Sequence, residues 1–354
     1  MPIPTEPIGS IPRPPALIQG LRDFGAGKIT PEQLDALGDR AVRETIEAFA
    51  ATGSPVITDG EQTKSSFATY PIHGLASLAP DGVQIPFADG HHRQLPRLTS
   101  GPFRYSRHAD EYLKKAQPHT RLPLKQAVIA ASALSLLYPQ GGIDGYSREA
   151  FIEDLVAGAV DDIRRCLDAG AHCVQIDFTE ARLSIKLDPS GQLLRQFIAL
   201  NNRVLSHFTG DDRRRIGVHT CPGGDQDSTH SADVDYADLL PSLFELAVGS
   251  FYIQLASEGD RRRVLGIIRD RSQTGQRVFV GVTDPLDPRV ETPEGVRDRV
   301  IEAATYIPLD RLGTTDDCGF APFADDTSTS RETAFAKVRA RVQGTELAGR
   351  ELGL

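Results

Sequence analysis

Short apolar runs alternate with longer amphipathic stretches along most of the chain. The runs fall at 6–10, 55–59, 126–131, 173–177, 216–221, 251–256, 278–284 and 311–315, each bounded by loop residues. Continuous apolar runs of this length predict parallel strands buried on both faces. The stretches between them carry helix signals. Thr30-Pro31-Glu32 supplies an N-cap, a first-turn proline and an acidic first turn for a helix closed by Gly53. Ser147 with Glu149 opens another that runs to Gly170, and more are predicted near 190–208, 236–247, 260–272, 293–306 and 328–345. Eight strands separated by helices predict an α/β fold, a (β/α)8 TIM barrel, which takes roughly 250 residues plus insertions. An open doubly wound sheet fits the same periodicity.

Two segments break the rhythm. Residues 1–29 hold several prolines and glycines and read as a leading loop. Residues 62–122 are rich in His, Pro, Gly and Arg, gain a helical period only at 107–116, and read as a lid-like insertion after strand 2. With no internal repeat or second core, residues 1–354 are expected to form a single barrel domain.

Composition narrows the function. A net charge of −9 argues against a sequence-independent grip on nucleic acid. No run approaches the roughly 20 apolar residues of a membrane span. The first residues lack the basic and apolar regions of a secretory signal. Four cysteines in so long a chain make no disulfide framework, so free thiols in the cytoplasm are expected.

Polar residues recur where the predicted strands end: Gly9-Ser10, Asp59-Gly60-Glu61, Asp177, His219-Thr220-Cys221, Asp284 and Asp316-Asp317-Cys318. In barrels the active site forms from the loops at the C-terminal strand ends. His219-x-Cys221 is the sharpest of these features. Residues i and i+2 of a strand point to the same side, so imidazole and thiolate face one metal, and zinc favours such ligands. Cys318 stands at another strand end, whereas Cys166 on a helix and Cys173 at a strand start read as packed core thiols. The Asp225–Asp233 stretch lacks the glycine and glutamate of a calcium loop and reads as a strand-to-helix loop in a position to line the pocket. His172 and His207 read as structural, and Arg213-Arg214-Arg215 as a solvated loop.

On these residues the chain resembles the catalytic barrel of cobalamin-independent methionine synthase over nearly its full length. The matching pieces are Pro7-Ile8-Gly9-Ser10-Ile11-Pro12, Asp59-Gly60-Glu61, Gln175-Ile176-Asp177, Val218-His219-Thr220-Cys221, Gly281-Val282-x-Asp284 with Pro288-Arg289, and Asp316-Asp317-Cys318-Gly319. The resemblance implies a (β/α)8 barrel with His219, Cys221 and Cys318 as zinc ligands. It also implies Ile8, Gly9, Ser10, Glu61 and Asp177 around a thiol amino acid, homocysteine, and Glu61, Asp177 and Asp284 as catalytic. Zinc would hold the thiol as the attacking thiolate.

The departures are specific. Where that family has a glutamate zinc ligand, this chain has Ile253-Gln254, leaving Gln254, Glu258 or water as the fourth ligand. The family's catalytic His is Leu286, Phe178-Thr179-Glu180 follows Asp177 in place of Glu-Pro, and no N-terminal barrel for polyglutamyl folate is expected. The alkyl donor is therefore open among methylfolate, a methyl-corrinoid protein and, as in epoxyalkane:coenzyme M transferases, an epoxide. The last would use His91, His92 or His108 as acid and Arg93 or Arg97 toward a sulfonate. A non-catalytic metal-binding homologue and a uroporphyrinogen decarboxylase-like barrel are the remaining readings.

Overall fold

The computed structural model describes residues 2–354. Six parallel strands form one sheet in the order Leu312–Asp316, Arg277–Thr283, Ser250–Ile253, Ile216–Thr220, Cys173–Asp177 and Lys125–Ile129. Helices Arg148–Asp168, Gln192–Leu205, Tyr236–Leu243, Arg261–Arg271 and Pro293–Ala304 lie between successive strands, and Arg331–Glu351 follows the last. Every strand residue except Arg277 is buried, which is why these runs read as continuously apolar.

The first two predicted runs flank this sheet without extending its ladder. Thr5 makes a single parallel bridge to Thr314, and Ile57 one to Leu124. Proline explains the first case: Pro4 and Pro7 carry no N–H, so the Glu6 amide alone reaches the Thr314 carbonyl, at 3.0 Å. In the second, the chain turns left-handed immediately after Asp59, at Gly60 (φ 69°) and Glu61 (φ 55°). The two segments meet where Thr58 Oγ1 donates to the Gly9 carbonyl at 2.8 Å and the Ile11 amide to the Gly60 carbonyl at 3.0 Å. The architecture is α/β and TIM-barrel-like.

The helix signals at Thr30 and Ser147 cap as expected. Thr30 and Gln33 form a capping box on Pro31–Ala51, and Ser147 accepts from the Ala150 amide. The leading loop is corrected by the structure, for Pro15–Gly25 is a helix. Its signal was hidden by two glycines in eleven residues, one of which, Gly20, is what lets it pack against Leu34 and Leu37. Glu180–Leu187 is a second helix that the periodicity did not reveal. None of the helices is long and apolar enough to cross a membrane among the described residues.

The 62–122 segment contains two small antiparallel ribbons, Leu78–Ala79 with Arg97–Leu98 and, inside it, Gln84–Pro86 with His92–Gln94. The inner ribbon is bound to a hairpin of Gly224–Asp225 and Ser228–Thr229, whose Gln226 and Asp227 are left-handed as a tight two-residue turn requires. Ala88 donates to the Thr229 carbonyl at 2.9 Å, and Arg93 bonds both oxygens of Asp225 and both of Asp325. The insertion is thus strapped across the loops after two strands.

At the opposite end of the sheet Glu6 is buried beside Lys125, with Nζ 3.6 Å from its Oε2. Burial pushes the Glu6 carboxyl up, but the His172 hydrogen bond, the Lys125 charge and the Tyr252 hydroxyl outweigh it and bring it down to about 2. A carboxyl depressed from its ordinary 4.5 adds stability that is complete above pH 4.5 and is lost as pH falls toward 2. A full shift of this size is worth roughly 3 kcal/mol. Urea midpoints measured between about pH 6 and pH 3 should therefore fall more steeply for the natural chain than for Glu6→Gln.

Candidate metal and thiol site

His219 is the fourth residue of the Ile216–Thr220 strand, and Cys221 follows directly at its C-terminal end. The chain then turns through Pro222 and the left-handed Gly223 (φ 71°), which keeps Cys221 at the mouth. Cys318 arrives from the loop after Leu312–Asp316. The Cys221 and Cys318 Sγ atoms stand 3.0 Å apart, and one ligand atom from each of the three residues lies within 4.8 Å of the others. Both nitrogens of the buried His219 ring lack any protein partner. An orphaned buried polar group costs about 1–3 kcal/mol, so this arrangement fits an ion that supplies the missing partner. One nitrogen and two sulfurs at this spacing match zinc's donor preference.

Asp317 positions the neighbouring loop. Its Oδ1 accepts from the Leu255 and Ala256 amides, both at 2.8 Å, and its Oδ2 from the Ser257 amide and hydroxyl, both at 2.7 Å. Gly281 leaves the room for this: a Cβ there would stand 1.8 Å from Asp317 Oδ1. Gly281→Ala should displace the carboxylate next to Cys318 and cost about 1–3 kcal/mol. A lowered thermal midpoint would show this, and an unshifted midpoint would refute it.

Ile8, Ser10, Glu61 and Asp177 line one cavity with His219 and Cys318. Ser10 sits tight against the strand-end loop, because a Cβ at Gly319 would lie 2.1 Å from its Oγ. The Glu61 backbone holds a left-handed φ of 55°, unusual for a residue with a side chain and frequent at functional sites. Three contacts fix it. Its amide donates to Asp59 Oδ1 at 3.0 Å, its carbonyl accepts from Arg13 Nη2 at 2.8 Å, and its Oε1 accepts from Lys64 Nζ at 2.9 Å. Asp177 Oδ1 accepts from Gln175 Nε2 at 2.7 Å, and burial pushes its carboxyl up, against the pull of the nearby His219 ring. Gly9 contributes backbone, its carbonyl held by Thr58.

Other predicted residues are placed elsewhere. Gln254 is turned to Ser257, donating at 2.7 Å, and to Arg182, which reaches its Oε1 at 3.5 Å. Arg182 also binds Glu258 at 2.9 Å, so both candidates for a fourth ligand are engaged with other groups. Asp284 does not line the cavity, and its Oδ1 accepts from the Leu286 amide at 3.0 Å. Leu286 itself lies near Gly224, as does Cys318. His91 and His108 are paired with acids, Asp225 and Asp161. Arg97 pairs with Asp81 at the surface. Arg93, by contrast, reaches the cavity wall.

Sequence reading missed Arg13 and Lys64, and placed His230 only within a pocket-lining loop. The first two lie in loops without a motif, and their burial is visible only once the loops are folded. His230 lines the same cavity, and its Nδ1 lies 2.7 Å from Ser231 Oγ. Because Ser231 Oγ donates to the Pro222 carbonyl, it accepts from Nδ1–H and leaves Nε2 as a free acceptor.

The family model described as "Cobalamin-independent synthase, Catalytic domain" matches residues 3–346. The chain belongs to this family. Every site residue above lies inside the matched stretch. A methionine synthase of Sulfurisphaera tokodaii is 22% identical over 352 residues, covering 99% of this chain and 94% of that protein. The uncharacterized protein YxjH of Bacillus subtilis is also 22% identical, over 96% of this chain and 92% of its own length. In fold, the chain is similar to a B12-independent methionine synthase from Shewanella sp. W3-18-1 solved with selenomethionine. The TM-score is 0.79 at 21% identity, covering 99% of both chains.

Proposed function

We propose that the protein is a zinc-dependent methyltransferase acting on the sulfur of homocysteine or a close amino thiol, with residues 1–354 as one catalytic unit. Family membership supports thiol methyl transfer in general. The finer reading rests on one observation: a His-Cys-Cys donor set with an orphaned imidazole opens on the same cavity as the buried carboxylates Glu61 and Asp177.

Zinc held by His219, Cys221 and Cys318 would supply the positive charge that keeps a thiol ionised at neutral pH. The chain supplies orientation. Glu61 and Asp177 present negative charge to a substrate ammonium group, and Ser10 offers a hydroxyl beside them. Phe67, Phe87 and Phe323 line the cavity and give a bound sulfur an apolar neighbourhood. Arg93 is neutralised by two aspartates and offers no free cation to a sulfonate. An amino thiol therefore suits the cavity better than coenzyme M. A reducing cytoplasm suits two thiols 3.0 Å apart that must stay unpaired.

The test is metal analysis followed by cobalt substitution. Purified protein is expected to hold about one zinc per chain. The cobalt form should show a thiolate-to-metal absorption band that grows with homocysteine. Metal-free protein that alkylates homocysteine at the full rate would overturn the proposal.

A further inference from the structure

His230 is the one buried ionisable side chain on the metal cavity to which the thiol reading gives no role. Its ring is held from several sides. The backbone amide donates to the Gly223 carbonyl at 3.3 Å, Nδ1–H is taken by Ser231 Oγ, and Phe87 meets the ring edge-on with centroids 5.5 Å apart. A Cβ on Gly223 would stand 1.8 Å from Nε2, so the missing side chain is what lets the ring lie against the loop that leaves Cys221. Gly223 in turn donates its amide to Cys221 Sγ at 3.4 Å.

With Nδ1 protonated, Nε2 carries a lone pair. It has no protein partner yet keeps accessible surface, so a ligand can reach it. The same holds for two other atoms on this wall, Glu61 Oε2 and Asp177 Oδ2, whose sister oxygens are taken by Lys64 and Gln175. The other polar side chains of the wall suit different partners. Arg93 can only donate, His219 is given to the metal, and the Ser10 and Thr179 hydroxyls can donate to a substrate carboxylate. An ammonium group has three N–H donors, and the three open atoms are acceptors in matching number. The cavity measures about 70 Å³, room for roughly five to seven waters at about 10–15 Å³ each, so a small amino thiol would fill it and meet its walls. Burial, reinforced by the Lys186 and Arg182 charges, pushes His230 down to about 4. The ring is therefore uncharged at neutral pH and does not repel a cation.

We propose that His230 is a further substrate-binding residue, whose Nε2 accepts the third hydrogen bond of the amino thiol's ammonium group. This rests on the thiol reading above, which places that substrate in this cavity. Losing a hydrogen bond to a charged group weakens binding by roughly ten- to a hundredfold.

The test is calorimetry on the zinc protein with homocysteine and with 4-mercaptobutyrate, which keeps the thiol and carboxylate but lacks the ammonium group. His230→Leu should weaken homocysteine by about tenfold or more and 4-mercaptobutyrate by less than about twofold. His230→Gln can present an amide oxygen near the place of Nε2 and should recover most of the loss. If the leucine variant does not fold, nitrogen NMR of the natural zinc protein labelled at histidine carries the test. The unprotonated ring-nitrogen resonance that is missing from His230→Gln should move with homocysteine and stay with 4-mercaptobutyrate. Equal loss for both ligands, no loss for either, or an unmoved resonance would overturn the inference. The cobalt absorption band keeps the two readings apart. A band with homocysteine upholds the thiol site even where His230 proves silent, and no band in the natural chain would sink both.

Discussion

Cys318→Ser is expected to strip the protein of zinc and reduce thiol methylation by more than about a hundredfold. Outer-shell changes around a metal already cost 10–100-fold, and a direct ligand should cost more. Serine is smaller and its hydroxyl remains protonated at neutral pH, so it cannot replace a soft anionic sulfur. What remains is His219 and Cys221, one nitrogen and one sulfur, because Gln254 and Glu258 are held by Ser257 and Arg182. Two donors do not make a tetrahedral site. Without the metal an amino thiol of ordinary pKa near 8.5 is mostly protonated at pH 7, which removes the nucleophile as well as its anchor. Cys166→Ser is the control. That thiol is buried on the Arg148–Asp168 helix, away from the cavity, and should keep its zinc while losing some stability. Zinc content measured on both variants decides the matter, and a Cys318→Ser protein that retains a full complement of metal would refute the assignment.

The parts legible in the sequence were those written locally. Helix caps at Thr30 and Ser147 depend on side chains within three residues, and the His219-x-Cys221 pair depends on strand geometry alone. Cys318 was found because it, too, ends an apolar run. Residues acting across the fold left no such trace. Lys64 lies three residues after Glu61 and looks like an ordinary loop cation until the loop is seen folded beneath Tyr70 and Tyr112. Arg93 was read as a candidate partner for a sulfonate, but the ribbon carrying it lies across Asp225 and Asp325, over 130 positions and over 230 positions away respectively. Gln254 has a partner that its place in the chain did not show: Arg182, from a helix the periodicity did not reveal, reaches its carbonyl oxygen at 3.5 Å.

Lys64→Met should destabilise the protein by about 3–5 kcal/mol, the cost of leaving one partner of a buried ion pair alone. Lys64 is 1% exposed, and its Nζ donates to Glu61 Oε1 and to the Ala127 carbonyl, both at 2.9 Å. Burial by itself would lower the amine, but Glu61 and Asp59 outweigh it and hold Lys64 cationic. Methionine fills nearly the same volume with no charge, so the two carboxylates would lose their direct ion-pair partner and keep only the more distant charge of Arg13. Glu61 would then take up a proton or turn outward, and either response removes it from a substrate ammonium group. Stability and substrate binding can be separated with a second substitution. Adding Glu61→Gln to Lys64→Met replaces the ion pair by neutral groups, a change that is often nearly neutral for stability. The double variant should therefore recover most of the lost thermal midpoint while KM for homocysteine stays raised by about tenfold or more. If KM recovered together with the midpoint, Lys64 and Glu61 would be serving the fold alone. If KM stays raised once stability returns, Glu61 contacts the amino thiol and Lys64 holds it in place to do so.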